Sequence, residues 1–158
     1  MKDTLIQYDT AVLAKEKNFL VYTDYWFENT KETGITTNNY GLDRNYPRKE
    51  IELCSIEYPG EEGTEDYIKL ELDKDDSLIS YEKGFYFAPT QSLLQKWLRE
   101  VHNIHVSSDI NEEGTWDFVL IDIKILTCMF NSLNTDIAYN TYELALEEGL
   151  KQALLLIK

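Results

Sequence analysis

Residues 89–110 read PTQSLLQKWLREVHNIHVSSDI, and this stretch decides the fold. Pro89 suits a helix entry and Thr90 can cap it. Leu93, Leu94, Trp97, Leu98 and Val101 then fall at i, i+1, i+4, i+5 and i+8, one wide apolar stripe. Gln91, Gln95, Lys96, Arg99 and Glu100 take the wet side, so the spacing predicts an amphipathic helix that reaches His102 and is ended by Asn103. Ile104–Ile110 predicts a strand. Further on, Asn111–Gly114 is a turn, and Trp116–Ile125 predicts a strand with Val119, Ile121, Ile123 and Ile125 on its apolar face. Asn131–Thr135 turns again. Asn140 or Thr141 caps a closing helix, with Glu143 placed for a capping box to Asn140. Leu144, Ala145, Gly149, Leu150, Ala153 and Ile157 recur along it at helical spacing. Residues 89–158 therefore read helix–strand–strand–strand–helix, an order in which both helices can cover one face of an antiparallel sheet.

The N-terminal half is less regular. Asp9 can cap a short helix over 9–18, Asn18 suits a left-handed C-terminal position, and Phe19 would pack back onto that helix. The aromatic and β-branched run 19–28, FLVYTDYWFE, predicts a strand. Alternation over Ile51–Ile56 and Tyr67–Leu72 predicts two more, joined as a hairpin through Pro59–Gly63. Thr30–Gly34 reads as a turn, and Thr36–Lys49 and Asp73–Ser77 read as loops. The expected fold class is α+β: an antiparallel sheet with the two helices of the C-terminal half packed on one face, preceded by a short helix and strands, as one domain over 1–158.

Composition bounds the function classes. With 158 residues and 43% hydrophobic content, the chain can bury a core without disulfide or metal staples. Cys54 and Cys128 are isolated, which reads as free thiols of a reducing compartment. The first 19 residues have acids at Asp3, Asp9 and Glu16 and no apolar core segment, so no signal peptide is expected and the location expected is cytoplasmic. Net charge is −14, and residues 51–158 carry 8 basic against 21 acidic groups. That field repels phosphate backbones and anionic bilayers, so neither nucleic acid nor membrane is an expected partner. Double-stranded-RNA-binding domains share the 89–158 element order. They grip phosphate through a basic cluster at the start of the last helix, whereas here that position reads Thr141, Tyr142, Glu143.

The candidate chemistries each meet a blander reading. His102 and His105, with Asp109, Glu112 and Glu113 downstream, offer metal-ligand types, but they flank a helix-to-strand junction and need not converge. Asp73–Gly84 departs from a calcium loop, with Leu78 where Gly is required and Gly84 where the bidentate Glu belongs. Gly60–Gly63 sets Glu61 and Glu62 where a phosphate would sit. Neither cysteine has a base nearby in sequence, and carboxylate pairs are too abundant in so acidic a chain for any one to be informative. No catalytic residue, cofactor or metal is expected. The feature that remains is the aromatic run around Tyr22, Tyr25 and Trp26, ordinary sheet and core by composition and an anchor for a partner protein if Tyr22 and Trp26 face outward together.

Ala88–His105 resembles a block in a group of small proteins from Bacteroides-type gut bacteria and their phages. Leu13–Phe19 and Thr141–Leu150 look like the same family, in the same order, with Asn18 standing where that family suggests Gly. The resemblance implies a phage or mobile-element origin and carries no activity. The reading that follows is a small acidic non-catalytic module that binds another protein, with a homo-oligomer left open. An acidic decoy imitating DNA and an enzyme with an unfamiliar site are the alternatives.

Overall fold

Asn18 ends the first helix as its chemistry suggests. Its φ is 60°, its N–H reaches Lys15 O at 3.0 Å, and Phe19 N–H reaches Ala14 O at 2.9 Å. These two bonds satisfy carbonyls that a helix end leaves free. Phe19 is thereby folded back into the core at 1% exposure, which is why the strand expected from residue 19 begins only at Tyr25. The computed structural model describes residues 3–21, 23, 25–29, 51–55, 70–72, 78–81, 84–132 and 137–158. In chain order the elements are α1 (Tyr8–Glu16), β1 (Tyr25–Asn29), β2 (Ile51–Ser55), β3 (Leu70–Leu72), β4 (Leu78–Tyr81), β5 (Phe85–Phe87), α2 (Gln91–Val101), β6 (Ile104–Ile110), β7 (Trp116–Asp122), β8 (Thr127–Asn131) and α3 (Tyr142–Leu156). Two compact units divide them: Met1–Phe19 with Pro89–Lys158, and Leu20–Ala88.

The first unit is the α+β arrangement that the 89–158 pattern predicts. Its antiparallel sheet has the order β6-β7-β8, and α2 and α3 pack on it and on each other, with α1 against α3. Thr90 caps α2, its hydroxyl accepting from Leu93 N–H at 3.2 Å. Thr141 caps α3 by accepting from Leu144 N–H at 3.2 Å, so the cap is Thr141 rather than an Asn140–Glu143 box. The helix-facing side of the sheet carries Ile104 and Val106 from β6 and Phe118 and Leu120 from β7, all buried. Gly149 lets α3 approach there: a Cβ at that position would lie 2.8 Å from Val106 Cγ1 and 3.1 Å from the Phe118 ring.

Five expectations are corrected in this unit. The core face of β7 is the Phe118 and Leu120 set, while Val119 and Ile121 lie half-buried on the reverse. The strand also stops at Asp122, and Ile123 and Ile125 fall in an exposed turn. Val101, assigned to the apolar stripe, is 56% exposed, and Gln91, assigned to water, is 3% exposed. Finally, α1 takes Gln7 as its N-cap, with no side-chain cap, and Asp9 lies inside its first turn. The Glu147 carboxylate instead accepts from the N–H of the cap residue itself, 2.8 Å from Gln7 N.

In the second unit β1 is central, paired antiparallel with β2 and with β5, and β3 pairs with β4. The hairpin expected between 51–56 and 67–72 is therefore not formed. The strands at 51–55 and 70–72 take other partners, and the Pro59–Gly63 loop lies outside the described residues. Phe85 and Phe87 are buried, with Leu20 and Trp26 packed against them.

Candidate functional site

Of the aromatic candidates, Tyr25 and Trp26 are successive residues of β1, so their side chains leave opposite faces of the strand. Trp26 lies directly across from Phe87, packs on the Phe85–Phe87 cluster, and buries its indole Nε1 without an acceptor. Both residues are half-buried. Tyr22 lies outside the described residues.

The histidines are set apart by their elements. His102 closes α2, its ring against Trp97 at 4.4 Å between centroids, and Trp97 in turn meets Phe19 edge-on at 5.3 Å. His105 is on β6, opposite Ile121. Among the described residues no group of three or more His, Cys, Asp or Glu side chains could hold a metal ion. Asp109, Glu112 and Glu113 are exposed. Cys128 is an exposed free thiol whose Sγ reaches Phe130 O at 3.4 Å, and the side chain of Cys54 is outside the description. Asp73–Ser77 and Gly60–Gly63 are outside it too, while Leu78–Tyr81 of the calcium-loop comparison is strand β4.

Among the described residues two carboxylates are buried, and hydrogen bonds occupy both. Asp117 accepts from Asn111 Nδ2 at 2.7 Å and from Ser132 Oγ at 3.1 Å, and Ser132 Oγ itself accepts from Phe118 N–H at 2.8 Å. This set clamps the β6–β7 turn. Glu147 accepts from Gln7 N–H and, at 2.9 Å, from Gln91 Nε2. Burial, with Glu148 and Asp117 nearby, pushes the Tyr139 phenol above its ordinary value, so it stays neutral.

Burial also lowers the pKa of His102 below 6.5, and its Nε2 is buried without a partner. The unfolded chain therefore takes up this proton first as pH falls. Stability from this group is lost as pH drops through 6.5 toward the folded value, and no further below that. An NMR titration of the two imidazoles, assigned with His105→Asn, is expected to place the His102 midpoint below 6.5. A midpoint at or above 6.5 would contradict the burial.

The surface that the sequence reading passed over is the β7–β8 hairpin. Ile123 is 36% exposed, Ile125 69%, Leu126 82% and Met129 41%. Asp122 Oδ1 shapes the turn, accepting from Lys124 N–H at 2.9 Å and Ile125 N–H at 3.4 Å. Ile123 N–H binds Asn103 O at 2.9 Å, which ties the base of the tip to the α2–β6 turn. Leu126 has φ 53°. A left-handed conformation costs an L-residue with a Cβ about 1–2 kcal/mol. The other described residues with positive φ are Asn18, Asn103, Gly84 and Gly114, the types that tolerate it. Leu126 combines backbone strain with an apolar side chain in water, two costs at one position. Alternation over Trp116–Ile125 concealed the tip by extending the strand through it, and nothing in the sequence announced a left-handed Leu.

No protein-family model, curated protein or solved structure matches the chain. Among the described residues no helix is long and apolar enough to cross a membrane.

Proposed function

We propose that the chain is a non-catalytic protein-binding module that docks through the β7–β8 tip. The observation that carries this is Leu126, 82% exposed in a left-handed turn position. The left-handed position closes the hairpin, but Leu there carries a cost that Gly or Asn would avoid, and a costly exposed residue points to use at an interface; a cluster of apolar side chains on a hairpin tip is the kind of patch that marks a docking surface. The occupied states of Asp117 and Glu147 support a structural rather than a catalytic part for the buried acids. The resemblance of Ala88–His105 to proteins of gut bacteria and their phages supports a role in phage or mobile-element biology.

The test is affinity capture from bacterial lysate at low and high salt, with the parent chain and with Leu126→Asn. Asn accepts the left-handed backbone, so the variant is expected to melt at the same temperature or higher. It is also expected to lose a capture that survives high salt. Capture that ignores Leu126→Asn sinks the reading, and salt-sensitive capture of a DNA-binding protein favours the acidic decoy instead. The acidity that motivates a decoy is concentrated in 20–88, with 7 basic against 16 acidic residues.

A further inference from the structure

We infer that the occupant of the β7–β8 tip is a second copy of this chain, packed tip to tip about a two-fold axis with Ile125 and Leu126 of each copy against those of the other. This rests on the reading of the tip as a docking surface and names its partner.

Three observations select a second copy. The first is charge. Each copy carries −14, which opposes self-association over most of the surface, but the eleven residues from Ile125 to Thr135 hold no charge at all. Two copies therefore repel least where the exposed apolar side chains sit. The second is self-complementarity. Asp122 and Lys124 bracket Ile123, so a two-fold rotation brings Lys124 of each copy toward Asp122 of the other, and both pairs form in one isologous contact. Asp122 uses Oδ1 for its own turn, accepting from Lys124 N–H and Ile125 N–H. The third is area. Ile123, Ile125, Leu126 and Met129 expose on the order of 400 Å² of apolar surface, patch-sized for a monomer. That is about half of the ~800 Å² per partner in a standard interface, which predicts a weak dimer.

The contact is through side chains rather than by extending the sheet. β8 is the outer strand in the order β6-β7-β8, but its register shifts between Leu120 and Ile121, leaving Met129 as an extra residue. A bulge in mid-strand twists an edge out of the flat form that strand addition needs. Despite Lys124 and the apolar tip, an anionic bilayer is opposed by the overall charge.

Sedimentation equilibrium of the purified full chain across low to high micromolar concentration, at low and high NaCl, tests this directly. A monomer–dimer equilibrium with a dissociation constant on the order of 10–100 µM is expected. It should tighten with salt, because salt screens the repulsion between two acidic copies and leaves the apolar contact. Ile125→Asn with Leu126→Asn is expected to be monomeric throughout with an unchanged or higher melting temperature. Lys124→Glu, which places like charges across the axis, is expected to weaken the dimer about tenfold or more. A parent chain that stays monomeric at the highest concentration, or a dimer that persists in the double Asn variant, overturns the inference. A monomeric parent that still captures a lysate protein through Leu126 overturns the dimer while the docking function stands.

Discussion

Replacing Gly149 with Ala is expected to destabilise the protein by up to about 2 kcal/mol, and replacing it with Val by more than about 3 kcal/mol. Two effects oppose each other at this position. Helix propensity favours Ala over Gly by about 1 kcal/mol in a helix interior, so on α3 alone the substitution would be a gain. Against it stands the approach of the sheet. The added Cβ would meet Val106 Cγ1 at 2.8 Å and the Phe118 ring at 3.1 Å. Neither neighbour can yield cheaply. Val106 is fully buried and Phe118 nearly so, a branched Val holds its χ1 tightly, and both residues are fixed in paired strands. Overpacking of this kind typically costs 1–3 kcal/mol, which outweighs the propensity gain. The two added γ-carbons of Val enlarge that overlap. Urea denaturation checks this through the midpoint at unchanged slope. An Ala variant that unfolds at a higher urea concentration than the parent would mean that α3 does not lie on β6 and β7 as closely as Gly149 allows.

The same position shows what could be read in advance. Helical spacing put Gly149 on the apolar side of α3, which is where it lies, but spacing cannot distinguish an apolar position from one that must be empty. The order of α2, β6, β7, β8 and α3 was legible because period-3.6 and period-2 patterns switch at Asn103 and at the turns. Which face of β7 is buried was not legible. Residues 116–123 read Trp-Asp-Phe-Val-Leu-Ile-Asp-Ile, and each alternating set holds one Asp among apolar residues, Asp117 in one and Asp122 in the other, so alternation does not choose between them. The helix packed at Gly149 chooses, and Asp122 ends the strand by binding the turn ahead of it. Strand partners in 20–88 were hidden for another reason. β1 pairs with β2 and β5 across long stretches of chain, whereas the sequence favours the nearest neighbour as a hairpin. The exposed β7–β8 tip was hidden because a backbone angle, not a residue type, makes Leu126 unusual.

Gln91, read onto the wet side of its helix, and Glu147, which the sequence reading left without a place, carry the second large effect: Glu147→Ala is expected to cost about 2–4 kcal/mol. Both residues are polar, yet they are 3% and 6% exposed. Each accounts for the burial of the other. Gln91 Nε2 donates to Glu147 at 2.9 Å and to Glu143 O at 3.0 Å, while the second Glu147 oxygen accepts from Gln7 N–H. One carboxylate thus joins the starts of α1 and α2 to the middle of α3. Removing it strips the N–H before α1 and a buried amide of a charged acceptor, and bonds to charged groups are the stronger class. Glu147→Gln separates hydrogen bonding from charge. Both partners are donors, and a Gln must point its NH₂ at one of them. Turning the Gln91 amide to compensate would break its bond to Glu143 O. The Gln variant is therefore expected to lose about 1–2 kcal/mol, although it removes one negative charge from a chain of net −14. If general charge repulsion governed this site, the same substitution would raise stability. A melting temperature for Glu147→Gln at or above that of the parent would show that the carboxylate is tolerated in the core rather than required there. The expected drop, together with non-additivity between Glu147→Ala and Gln91→Ala, marks it as the tie between the three helices.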